Sequence, residues 1–247
     1  MHWRRLDTTA IDIDADVAPA IARAAAEALA THAVPLVARR DGRVEPLASG
    51  AFYRAGERLW LATCRHVFDD GAALGDLGVA LPAAGRVCWL REARARLLLH
   101  PRHDLAAILI GDGAAGRALR RAWPAMPLAQ FDDAPAQALV LAAYPYAQMR
   151  RVESVLHVRP VVVFARPLPS ASDVRASYAR FARRADGAAV PAPPLDGASG
   201  ATLWALRALE DGRCLLQPAA VQFAFKHDAY MRGAPFAALR ELLLSVH

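Results

Sequence analysis

The sequence predicts an all-β protein with helical ends. Three observations carry that expectation: short apolar runs closed by Gly, Pro or charged residues, a length that accommodates two barrels, and helical spacing near the termini. At 247 residues, 55% hydrophobic and 22% charged, the chain has ample material for a buried core, and intrinsic disorder is excluded. That length fits one large domain or two ordinary ones, including two barrels of roughly 100 residues each.

The elements follow in order. Val17, Ile21, Ala25 and Leu29 recur on one helical face behind Asp16, a capping residue type, and predict an N-terminal helix within a 1–32 extension. From residue 33 the pattern shortens to VPLVARR, AFYRAG, RLWLATC, GVALP, RVCWL and LAAILI, the punctuation of a β-barrel over 33–125. A looser glycine- and proline-bearing stretch, 113–128, precedes a second β unit over 126–247 with ALVLAAYP, SVLHV and PVVVFARP. Within it, Val174, Tyr178 and Phe181 lie at helical spacing and predict a helical insertion over 172–184. A proline-rich loop, the runs ATLWAL, RCLLQ and PAAVQFAF, and an amphipathic helix from Pro235 to Val246 complete the chain.

Charge and cysteine usage narrow the setting. The net charge of +6 comes almost wholly from scattered arginines, with no polybasic block interleaved with aromatics, so neither nucleic acid nor membrane is expected as a partner. Cys64, Cys88 and Cys214 form no CxxC pair, and an odd count points to a reducing, cytoplasmic compartment. Asp7, Asp12, Asp14 and Asp16 interrupt any apolar run that an export signal would need, and no window reaches the length of a membrane span.

Three short motifs carry chemistry: TCRHV around His66, HDLAAILI around Asp104 and DGASGATLW around Ser199. Each alone is ordinary, since a histidine closing a strand, an aspartate before one and a GASG loop all have structural uses. Together they supply what acyl transfer by serine requires: a nucleophile, a base, a carboxylate to orient the base and backbone donors for an oxyanion. Their order is His, Asp, Ser.

On these residues the chain resembles the trypsin-like (chymotrypsin-fold) serine peptidases, in particular bacterial intracellular members without disulfides, over about residues 34 to 230. Ser49-Gly50-Ala51-Phe52 is similar to the strand that precedes the histidine in that family, and Ala143-Tyr144-Pro145 to its GYP segment. The resemblance implies a double six-stranded β-barrel and a serine endopeptidase, with Ser199 as nucleophile, His66 as general base and Asp104 as orienting carboxylate. It further implies an oxyanion hole from the N–H groups of Gly197 and Ser199. Substrate contacts would fall at Pro193 and along Ala220, Val221, Gln222 and Phe223, where a peptide would pair as an added strand.

Four positions depart from the family pattern. Ala198 stands where digestive members carry the aspartate that pairs with a new amino terminus, so that activation route is not expected. Cys64 and Arg65 replace two small residues before the histidine, Ala201 and Thr202 replace a Gly-Pro, and Ala143 replaces a glycine. A peptide or protein substrate is therefore expected, with no cofactor and no metal; the alternative is an inactive or partner-activated peptidase-fold binding module whose partner is a regulatory protein.

Overall fold

A strand that is apolar on both faces needs a packed layer on each side, and several runs of this chain meet that condition. The protein is described from a computed structural model over residues 2–69, 71–81, 85–128, 135–153, 155–184, 186–209 and 213–245. With 50% strand and 18% helix it is mostly β, built from several sheets of which one curls into a half barrel. Among the described residues no helix is long and apolar enough to cross a membrane.

The N-terminal arm holds β1 (His2–Arg5), β2 (Thr9–Asp12) and the expected helix, α1 (Pro19–Ala30). The two strands were not anticipated. Proline in the first turn of α1 sacrifices no intrahelical donor, and no side chain caps the helix. Asp16 is not its cap: it sits at φ 51°, while the Asp12 carboxylate accepts the N–H groups of Ala15 and Val17.

The first large sheet comprises β3 (Val34–Arg40), β4 (Arg43–Ala55), β5 (Arg58–Thr63), β6 (Leu77–Leu81), β7 (Arg86–Trp89), β8 (Arg96–Leu99) and β9 (Ala106–Ile110). A single turn, α2 (His66–Asp69), follows β5, and α3 (Ala114–Ala122) leads to β10 (Ala125–Pro127). The sheet order is β7-β6-β3-β4-β5-β9-β8, with β10 parallel to β4.

The remaining strands are β11 (Ala138–Ala143), β12 (Met149–Val152), β13 (Val155–Val158), β14 (Val161–Ala165), β15 (Pro167–Leu168), β16 (Val174–Tyr178), β17 (Phe181–Arg184), β18 (Ala189–Pro191), β19 (Thr202–Ala208), β20 (Cys214–Lys226) and β21 (Ala229–Pro235). The second large sheet runs β15-β16-β21-β20-β19-β11-β14-β2-β17-β18, and β1 joins β13 and β12 in a small third sheet. The segment 172–184 is thus two strands, not a helical insertion. RCLLQ and PAAVQFAF merge into the single bulged strand β20. The closing helix is α4 (Phe236–Leu244), and Val246 lies outside the described residues.

Strands β11 and β14 explain the long apolar runs. Val140 and Ala142 of β11, with Val162 and Phe164 of β14, face the core that holds Ala25, Ala26 and Leu29 of α1 and most of the first sheet. Their alternate neighbours Leu139, Leu141, Val161 and Val163 face a second core with Tyr178, Leu195, Ala198 and Met231. The two strands form a wall between two cores, and α1 packs against that wall.

The buried Tyr53 hydroxyl of β4 meets Thr202 Oγ1 of β19 at 2.7 Å and so ties the two large sheets together. Tyr53→Phe leaves the buried Thr202 hydroxyl without that partner and is expected to cost about 1–2 kcal/mol. A lower urea midpoint at unchanged slope checks it.

Candidate active site

Antiparallel pairing of β5 with β9 matches Thr63 to Ala106, which brings the turn after Thr63 beside the residues that precede β9. There His66 and Asp104 meet twice. The His66 backbone N–H donates to Asp104 Oδ1 at 2.9 Å, and His66 Nδ1 lies 2.7 Å from Oδ2. An ionised carboxylate only accepts, so Nδ1 carries the proton and Nε2 is the nitrogen left for chemistry.

The turn that presents Asp104 is set by a residue with no assigned role in the sequence reading. His100 is buried, and its Nδ1 accepts the N–H groups of Arg102 and His103 at 3.2 and 3.0 Å. Burial holds its pKa below 6.5, as suits a neutral acceptor. His100 and His103 are therefore part of the turn.

Burial pushes the Asp104 carboxyl up, but the hydrogen bonds from His66 outweigh it and hold the group below its ordinary range. The Asp104 carboxylate pushes the His66 imidazole up to about 10, the Cys64 thiol adding to the effect and burial opposing it. Arg65, whose cation would act the other way, is turned aside: its Nε lies 3.3 Å from Asp69 Oδ2, and Nη1 reaches the His100 carbonyl.

The loop carrying Ser199 is pinned to the same place by Ser49 of β4. The Ser49 hydroxyl donates to the Gly197 carbonyl at 2.9 Å and accepts the Tyr144 N–H at 3.0 Å, while its backbone N–H bonds the Ser199 carbonyl at 2.8 Å. The Ser49 carbonyl takes the Thr63 hydroxyl at 2.9 Å. Ser49 and Tyr144, singled out only as parts of two separate strand motifs, thus meet at one junction. Gly200 closes it: at φ +91°, a Cβ there would stand 2.9 Å from Thr63 Cα, three residues before His66.

Within this loop the N–H groups divide sharply. Those of Ala198, Gly200 and Ala201 bond the carbonyls of Leu195, Gln222 and Ala198 at 2.8, 2.7 and 3.0 Å. Among the described residues nothing accepts the N–H of Gly197 or of Ser199. Gly197 sits at φ +88°, a conformation that costs glycine little. Ala201 is buried in the second core without disturbing the turn.

One contact differs from the arrangement the sequence suggests. His66 Nε2 lies 3.4 Å from Cys64 Sγ, and among the described residues the Ser199 hydroxyl has no hydrogen-bond partner. Cys64 fills a core position, yet also borders the site, and burial pushes its thiol up.

The substrate-contact residues split as well. Ala220, Val221 and Gln222 are buried; β19 and β21 flank the first two, and Gln222 pairs with the 200–201 turn and β21. An added strand cannot pair there. Pairing of β19 with β20 ends at Thr202 and Val221, so the open edge begins at Phe223, the bulge position. The Pro193 carbonyl accepts the Tyr178 hydroxyl, and His227 Nε2 donates to the Ala192 carbonyl at 3.4 Å.

No family model matches this chain, and no curated protein matches it.

Proposed function

We propose that the chain is a serine endopeptidase that works through an acyl-enzyme, in the manner of the trypsin-like peptidases it resembles. The observation that carries this reading is the pairing of His66 with Asp104 beside a loop in which, among the described residues, nothing accepts the two N–H groups that flank position 198, those of Gly197 and Ser199. The Ser199 hydroxyl would attack the scissile carbonyl as its proton passes to His66 Nε2. Negative charge developing on the carbonyl oxygen would be met by the N–H groups of Gly197 and Ser199. The imidazolium, stabilised by Asp104, would then protonate the leaving amine, and water would release the acyl group by the reverse path.

For this, Nε2 must exchange the Cys64 thiol for the Ser199 hydroxyl. Catalytic hydrogen bonds commonly tighten only with substrate present. That same contact favours a second reading, a partner-activated or inactive binding module. Labelling with a fluorophosphonate probe separates the two: wild type labels and Ser199→Ala does not if the serine is activated, whereas folded wild type that stays unlabelled supports the module.

A base must be neutral to accept a proton, and the His66 pKa is raised above 6.5, toward about 10. Activity is therefore expected to be low at and below pH 6.5 and to climb as pH rises through the alkaline range, measured as kcat/KM against pH. A limb centred below 6.5 contradicts a His66 pKa raised by Asp104. For specificity, Ala192, Pro193, Ala220 and Val221 offer no acid to attract Lys or Arg, so cleavage after small or medium apolar residues is expected in a peptide library. A profile dominated by Arg and Lys refutes it, and one dominated by Glu implicates His227, which borders Ala192.

A further inference from the structure

The contact between Cys64 and His66 has the dimensions of a metal chelate. In a tetrahedral zinc site, Zn–S of about 2.3 Å and Zn–N of about 2.0–2.1 Å place the two ligand atoms about 3.5 Å apart; Cys64 Sγ and His66 Nε2 are 3.4 Å apart. The thiol is free of any disulfide. Behind the imidazole, Asp104 takes the other ring nitrogen at 2.7 Å, the arrangement that fixes tautomer and raises basicity in metal-bound histidines. Both Asp104 oxygens are engaged by His66, so the carboxylate supports the ligand instead of joining it. Cys64 itself is fully buried, but the His66 side chain is 37% exposed, which leaves an approach from the histidine side.

We propose that Cys64 and His66 bind a borderline-soft divalent cation of the zinc class, and that this binding switches the site off. The thiol would lose its proton to solvent, as would Nε2 where the imidazole is charged, and each atom would donate a lone pair to the ion. With Nε2 committed to the metal, no base remains for Ser199. A nitrogen–sulfur pair selects zinc-class ions over magnesium or calcium, which take oxygen. Remaining coordination positions would be filled by water, so the site is reversible, unlike a closed structural zinc centre. The inhibitory half rests on the peptidase reading; the binding half does not.

The test is titration of Co²⁺ into protein reduced with a phosphine, following the thiolate-to-cobalt absorption band in the near ultraviolet. One equivalent is expected to produce the band, and Zn²⁺ to abolish it by displacement. A Cys88→Ala, Cys214→Ala double variant, in which Cys64 is the sole thiol, should keep the band, while Cys64→Ala, checked for folding by circular dichroism, should lose it. No band with the sole-thiol variant, or an undiminished band in Cys64→Ala, overturns the site. Fluorophosphonate labelling then reads the consequence. Zn²⁺ should suppress labelling of wild type, at a concentration at least tenfold lower than Cys64→Ala requires. Cobalt binding with labelling indifferent to zinc overturns the switch, and cobalt binding in protein that never labels leaves the site standing while the peptidase reading fails.

Discussion

Ser199→Ala and His66→Ala are each expected to lower kcat for a peptide substrate by on the order of 10⁴ or more, because hydroxyl and imidazole act on one proton. Their effects should not add. Once the nucleophile is gone the base has no proton to accept, so the double variant is expected to be about as slow as either single one, with residual rate left by the N–H groups of Gly197 and Ser199. Asp104→Asn should fall in the same range, since an amide can donate to Nδ1 and stabilise the wrong tautomer. Kinetics of the three single variants and the double one test this directly. A multiplicative loss in the double variant would mean that the residues do not work as a unit.

Gly200→Ala is expected to be the most damaging small substitution in the loop. Its φ is +91°, and a methyl group would stand 2.2 Å from both the Ser49 carbonyl oxygen and the Thr63 hydroxyl and 2.9 Å from Thr63 Cα. Two of these obstacles are main chain, in the junction that joins the Ser199 loop to the first sheet, so relief requires moving β4 or β5. Strain and overpacking together should cost about 3 kcal/mol or more. Gly187→Ala is the control. At φ +83° it suffers the same backbone penalty, but among the described residues nothing lies within 4 Å of its added carbon, and a loss of about 1–2 kcal/mol is expected. Equal losses for the two in urea unfolding would show that close approach is not what Gly200 serves.

Most of the first sheet was legible because its runs are short and end at polar or glycine-bearing turns; each apolar run named between residues 34 and 110 is a strand, while β8 and β10 were not anticipated. The failure at 172–184 has a definite cause. A spacing of four residues satisfies a helical face and a strand face alike, since every second residue of a strand shares a side. Val174, Ala176 and Tyr178 are such a strand face, and Ala176 and Tyr178 lie in the second core. Pairing of β16 with β21, remote in sequence, decided between the two periods. Strand β1 was missed because its HWRR sequence holds one apolar residue, and β2 because it is four residues long and ends on Asp12; partners elsewhere in the chain hold them.

At the site, residue types and their order pointed to His66, Asp104 and Ser199, and strand pairing accounts for the meeting of the first two. Neither the Ser49 junction nor the Cys64 contact was legible. Cys64 lies two residues before His66, but the chain turns into α2 at that histidine, and it is this turn that brings the ring back over the thiol. The open edge of β20 also escaped the sequence, because where one strand's pairing stops depends on the length of its neighbours.

The wall formed by β11 and β14 carries a hazard of its own. When one face of a strand is polar, slipping by a residue drives charges into the core, and the slip is forbidden. In β14 a slip would merely exchange Val161 and Val163 for Val162 and Phe164, apolar for apolar. Hydrophobicity alone therefore tolerates two alignments of the most buried strand. Polar groups just past its end break the tie: Asp14 Oδ1 accepts the backbone N–H of Arg166 at 2.9 Å and also takes the Ser177 hydroxyl. In this strand the choice of a single native state leans on a few polar groups at the rim, among them one half-exposed carboxylate in a residue that the N-terminal arm supplies.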